Sequence, residues 1–94
     1  MKRDLYLKKL HAQLDEWNAD LDRLNAKADK ANADARIKYE KDISSIRERM
    51  SVAQKKAEEI KNANENAWED LKQGAEDAWS RLKNAMDDAK KNFK

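Results

Sequence analysis

The last third of this chain repeats itself every eleven residues. Ile60-Lys61-Asn62-Ala63-Asn64-Glu65-Asn66-Ala67-Trp68 is echoed by Leu71-Lys72-Gln73-Gly74-Ala75-Glu76-Asp77-Ala78-Trp79. Leu82-Lys83-Asn84-Ala85-Met86-Asp87-Asp88-Ala89 follows, and Phe93-Lys94 opens a fourth copy. Eleven residues make three helical turns at about 3.67 residues per turn, so each place in the repeat returns to nearly the same helix face. The segment therefore reads as a long amphipathic helix. Ile60, Trp68, Leu71, Trp79, Leu82, Met86 and Phe93 share one apolar arc, with Ala67, Ala75, Ala78, Ala85 and Ala89 between them. This arc is expected to meet a protein partner or a lipid surface. Trp residues at headgroup depth suit the second occupant. The segment's seven basic and seven acidic residues cancel, which weakens any pull toward anionic lipid.

Upstream the stepping is different. Leu7, Leu10, Leu14, Trp17, Leu21, Leu24, Ala28, Ala31 and Ala35 advance by threes and fours, a heptad seam of the coiled-coil kind. Ala31, Ala35, Tyr39 and Ile43 are then four apart, which resembles a stutter. Ile43, Ile46 and Met50 resume the heptad step toward Ala53, Ala57 and Ile60. From Leu7 to Met50 these residues are the expected oligomer seam. Residues 28–43 lack Gly and Pro, and Lys30, Asp34, Lys38 and Asp42 alternate in sign one turn apart, with Arg36 and Glu40 as a further pair. Each such pair supports a helix by about 0.2–0.5 kcal/mol, and Ala is the best helix former. The pattern predicts one long heptad helix over 1–61. A turn near 28–36 would make a three-helix bundle instead.

Asn62, Asn64 and Asn66 weaken helix because their amides compete for backbone groups. A turn is expected at 62–66, with Asn66 and Glu69 spaced as a capping box and an amphipathic helix over 67–94. The first helix would then be about 87 Å long, and the second could fold back along 35–60 as a hairpin. Asn62 and Asn66 also fit the eleven-residue register, so continuity is the alternative. The expected class is all-α: a long amphipathic helix forming a coiled coil, with a helical hairpin as its folded-back form.

Composition agrees with long helices. Charged residues make up 43% and apolar ones 39%; Pro and Cys are absent, and Gly74 is the single Gly. The net charge of +2 is evenly spread, without the basic stripe that nucleic acid binding requires. His11 and Asp15 supply two metal ligands where a site needs three or four, so no metal is expected. There is no phosphate-cradling Gly loop and no nucleophile–base pair. Catalytic residues, cofactors and enzymatic activity are accordingly not expected. Leu5-Tyr6-Leu7 is too short for a signal-peptide core, and no apolar run approaches the roughly 20 residues that span a bilayer. Cytoplasmic residence is the expectation.

Two stretches carry a family resemblance. Ala12-Gln13-Leu14-Asp15-Glu16-Trp17 and Trp68-Glu69-Asp70-Leu71-Lys72-Gln73-Gly74-Ala75-Glu76-Asp77-Ala78-Trp79 together resemble a family of small bacterial coiled-coil proteins that carry a stress-response label. More loosely, the eleven-residue repeat is similar to those of apolipoproteins and late-embryogenesis-abundant proteins, which act on lipid or as dehydration protectants. The resemblance implies a non-enzymatic, self-associating helical protein with a stress-related role, or a peripheral lipid-surface protein. It brings no catalytic residues.

Overall fold

The computed structural model describes residues 2–92; Met1, Phe93 and Lys94 lie outside the described residues. Three helices make up almost all of it: α1 (Lys2–Lys30), α2 (Ala33–Asn62) and α3 (Trp68–Asn92). The fold is all-α, as expected. The expectation of one helix through 28–43 is corrected, because the chain turns at Ala31 and Asn32. Asn32 sits at φ −68° and ψ 169°, and its side-chain oxygen accepts from the Ala35 backbone N–H at 3.0 Å. That is an N-cap. The physical reason is burial. Helix-favouring pairs in this segment are worth tenths of a kcal/mol each, whereas a straight 1–61 helix leaves its whole apolar seam in water.

The second turn occupies residues 63–67, one residue beyond the expected 62–66 window, and Asn64 rather than Asn66 organises it. Asn64 Oδ1 accepts from the N–H of Asn66 (3.2 Å) and of Ala67 (2.8 Å), and its carbonyl accepts from Ala67 and Trp68. One Asn therefore satisfies backbone N–H groups through the turn and that of Trp68, the first residue of α3. The Arg3 guanidinium donates to the Ala63 carbonyl at the end of α2, tying the start of α1 to this turn.

The helices run up, down and up, so α1 and α3 are parallel. The bundle measures 51 × 18 × 17 Å, about the length of one 30-residue helix. Leu14, Trp17, Leu21, Leu24 and Ala28 of α1 meet Ile43, Ile46, Met50 and Ala53 of α2 and Ala78, Leu82, Met86 and Ala89 of α3 in one cluster. A second cluster at the Asn64 end gathers Leu10, Ala57, Ile60, Trp68 and Ala75. Ala53 and Ala57 lie with Ala78 and Ala75, and small residues let α2 approach α3 closely. The backbones of α1 and α3 come near each other at few places; larger side chains fill the space between them.

Gly74 does not need its missing side chain. Its φ is not positive, and a Cβ there would meet the flexible Lys56 side chain at 3.9 Å, ordinary contact. Gly inside a helix costs about 1 kcal/mol relative to Ala. Gly74→Ala is expected to stabilise the bundle by about that amount, read as a raised denaturant midpoint at unchanged slope; an unchanged or lowered midpoint would contradict the packing described.

Candidate functional site

The heptad seam faces inward. Leu10, Leu14, Trp17, Leu21, Leu24, Ala28, Ile43, Ile46 and Met50 are buried, while Leu7, Ala31, Ala35 and Tyr39 are half-buried toward the ends of the bundle. The eleven-residue arc of α3 faces the same core. Trp68, Leu82 and Met86 are buried, and Leu71 and Trp79 are half-buried; Ile60, expected on the same helix, is buried at the end of α2 instead, because the turn falls inside the first copy of the repeat. Phe93 lies outside the described residues. The two stripes thus meet each other within one chain.

The contact between them has a regular geometry. Tyr6 and Trp68 stack with ring centroids 5.9 Å apart, and Trp17 and Trp79 with centroids 6.4 Å apart, both tilted by 40°. Tyr6 and Trp17 are eleven residues apart, as are Trp68 and Trp79. The parallel helices therefore present the same period to each other. Lys72 Nζ stands 5.2 Å from the Tyr6 ring centroid and 5.8 Å from that of Trp68, over both faces.

One charge lies in this contact. Asp20 is 7% exposed. Arg23 approaches its Oδ1 at 2.6 Å, and Lys90 of α3 reaches its Oδ2 at 2.9 Å as a charge contact rather than an aligned hydrogen bond. Removing one partner of a buried pair costs more than the pair contributes. The signal for Asp20 was its place three residues after Trp17, on the seam face.

The outer surface carries two further features. Between α2 and α3 runs a groove with Ser45, Ala78, Ala85 and Ala89 along it and Val52 at one end. Arg49 stands midway, Glu48 and Arg81 toward the Val52 end, and Asp42 and Asp88 toward the other. Asp42 Oδ2 is buried without a hydrogen-bond partner among the described residues. Leu5, Ile37 and Val52 are exposed large apolar side chains.

His11 is solvent-exposed, and among the described residues no three His, Cys, Asp or Glu side chains gather as a metal site. Among those residues no helix is long and apolar enough to cross a membrane. No protein-family model matches this chain, and neither a curated protein nor a solved structure matches it.

Tyr6 reports the closeness of α1 and α3. Its hydroxyl is buried without a hydrogen-bond partner among the described residues. Burial raises its pKa above the ordinary value of 10.0, and the Glu76 carboxylate adds to the rise. A raised folded-state pKa means that Tyr6's contribution to stability is fully present below the unfolded pKa and is lost as pH climbs through the folded value. In a Tyr39→Phe chain, ultraviolet titration should place the Tyr6 phenol above the range of free tyrosine, and unfolding should restore it. A folded-state midpoint in the ordinary range would contradict the burial.

Proposed function

We propose that this chain is a non-enzymatic structural and interaction protein, a helical module that associates with a second copy of itself. The observation that supports this is the α2–α3 groove. Its small residues leave room for the close approach of another helix, and Val52 offers an apolar anchor. Arg49 stands midway along the groove, Glu48 and Arg81 stand toward the Val52 end, and Asp42 and Asp88 toward the other. A two-fold axis across the groove would set Arg81 of one copy near Asp42 and Asp88 of the other, a charge complementarity that an isologous dimer can use. A helix of similar charge pattern on another protein would fit the same face.

A stress-related role belongs to this proposal through the family resemblance, and cytoplasmic residence is its default setting. The lipid-surface alternative would draw on the apolar arc of α3, which the bundle buries, so lipid binding would require α3 to leave the core. Trp17 and Trp68 are 6% and 7% exposed, and Trp emission should be blue before lipid is present.

Ser45→Arg and Val52→Arg test the groove, because both residues are exposed and neither belongs to the core. Sedimentation equilibrium across micromolar to millimolar protein should show a wild-type dimer that each substitution weakens at least about tenfold, about 1.4 kcal/mol, with thermal stability unchanged. A wild-type chain that stays monomeric throughout would overturn the proposal. Addition of anionic phospholipid vesicles should leave the emission in place; a lipid-dependent blue shift would favour the peripheral membrane role.

A further inference from the structure

The turn between α1 and α2 is unlike the turn between α2 and α3. Asn64 anchors the latter with two side-chain and two backbone hydrogen bonds, and Arg3 clasps the neighbouring Ala63 carbonyl. The former consists of two non-helical residues, Ala31 and Asn32. It has one side-chain hydrogen bond, from Ala35 N–H to Asn32, and two backbone ones, from Ala31 N–H to the Ala28 carbonyl and from Arg36 N–H to the Asn32 carbonyl. The Asp29–Arg36 ion pair across it is long, at 3.7 Å, and both side chains are largely exposed, so it adds little.

Everything local in this segment favours a helix passing straight through. Ala28, Ala31, Ala33 and Ala35 surround the turn, with neither Gly nor Pro between residues 28 and 43. At Asn32 φ is −68°, already helical; ψ, at 169°, is what must rotate. Lys30 and Asp34 are one turn apart across the break, a pairing that a continuous helix would bring onto one face. Leu24, Ala28, Ala31, Ala35, Tyr39 and Ile43 keep their three- and four-residue steps through it, so straightening would leave one unbroken apolar stripe.

We infer that Ala31–Asn32 is a hinge through which two copies exchange α1. When the hinge straightens, α1 and α2 become one helix, and α1 leaves its own core. Two such chains, antiparallel, each lay α1 against the α2 and α3 of the other. The α1 contacts away from the turn are then remade between copies: Trp17 on Trp79, Tyr6 on Trp68, Asp20 on Lys90. Since these contacts recur in both forms, the balance is set by the turn and by protein concentration, the condition under which exchange of an identical element costs little. A two-residue turn in helix-forming sequence is the kind of hinge that invites it. The exchange is independent of the α2–α3 groove, because α1 is the element that moves.

Ala33→Pro separates the two forms. Residue 33 is the first of α2, where Pro is well tolerated, and the extended Asn32 is what a following Pro prefers. Within a straight helix the same Pro would break it. Ala33→Pro should therefore keep the bundle's helicity and melting while lowering the exchanged dimer about a hundredfold or more. Asn32→Ala, which removes the cap of the closed form, should raise it about fivefold. Spin labels on Lys9→Cys and Glu58→Cys, diluted into unlabelled chains, read the geometry directly. Leu10 and Ala57 share a cluster in the closed bundle, so the labels should be close in the monomer. In the exchanged dimer the intrachain distance should be about 70 Å along one helix. A dimer whose labels remain close, or one equally abundant in Ala33→Pro, overturns the exchange while leaving association through the groove intact. Asn32→Ala chains that stay monomeric at the highest concentration also overturn it. Should Ala33→Pro fail to fold, the distance in the Asn32→Ala dimer decides alone.

Discussion

Two parallel helices with no direct connection must find their register from side chains alone, and in this bundle they do so through aromatic pairs. Connections of a few residues bring α1 beside α2 and α2 beside α3, whereas α1 meets α3 across the length of α2. Tyr6 on Trp68 and Trp17 on Trp79 repeat the same offset along the axis. A slip of one helical turn would break both pairs together. It would also part Lys90 from Asp20, leaving a buried carboxylate with Arg23 alone on its own helix. Packing and charge thus specify one alignment. The aromatic rings also explain the shape of the core. Large side chains stand between α1 and α3, and Ala residues let α2 lie close against α3.

Polar groups define where the helices end. Asn32 and Asn64 each supply a side-chain oxygen to backbone N–H groups at the start of the following segment, replacing the partners that a helix start lacks. Asn is a mediocre residue inside a helix and a good one at its N-cap. Three Asn crowd the second turn, but one of them does the capping, the one whose backbone also carries the turn. The first turn has a single Asn among Ala residues and is correspondingly less constrained.

Much of this was legible in the sequence. The heptad residues of α1 and α2 and the eleven-residue arc of α3 were identifiable from spacing, and most of them line the core. The turn before α3 was legible because its Asn residues interrupt good helix formers. The turn at Ala31–Asn32 was not, since Ala-rich sequence and alternating charges locally specify helix on both sides of Asn32. What decides there is long-range: the seam of α1 finds α2 and α3 of the same chain, and such contacts outweigh pair terms of tenths of a kcal/mol. Asp20 was hidden for a related reason. An acidic residue between Trp17 and Leu21 reads as a helix-face charge until a cation from a distant helix is placed against it. The α2–α3 groove was not legible either, since it is formed by two helices whose pairing the spacing alone leaves open.

A double-mutant cycle on Trp17 and Trp79 tests the register most directly. Trp17→Leu, Trp79→Leu and the double substitution would be compared with the parent by denaturant unfolding. Aromatic pairs contribute about 0.5–1.5 kcal/mol beyond the area they bury, so the two losses should fall short of additivity by that amount. As a control, Trp17→Leu combined with Ala63→Gly, at the far turn, should be additive. If the Trp17 and Trp79 losses add within about 0.3 kcal/mol, the rings do not meet, and the alignment of α1 on α3 described here would be wrong.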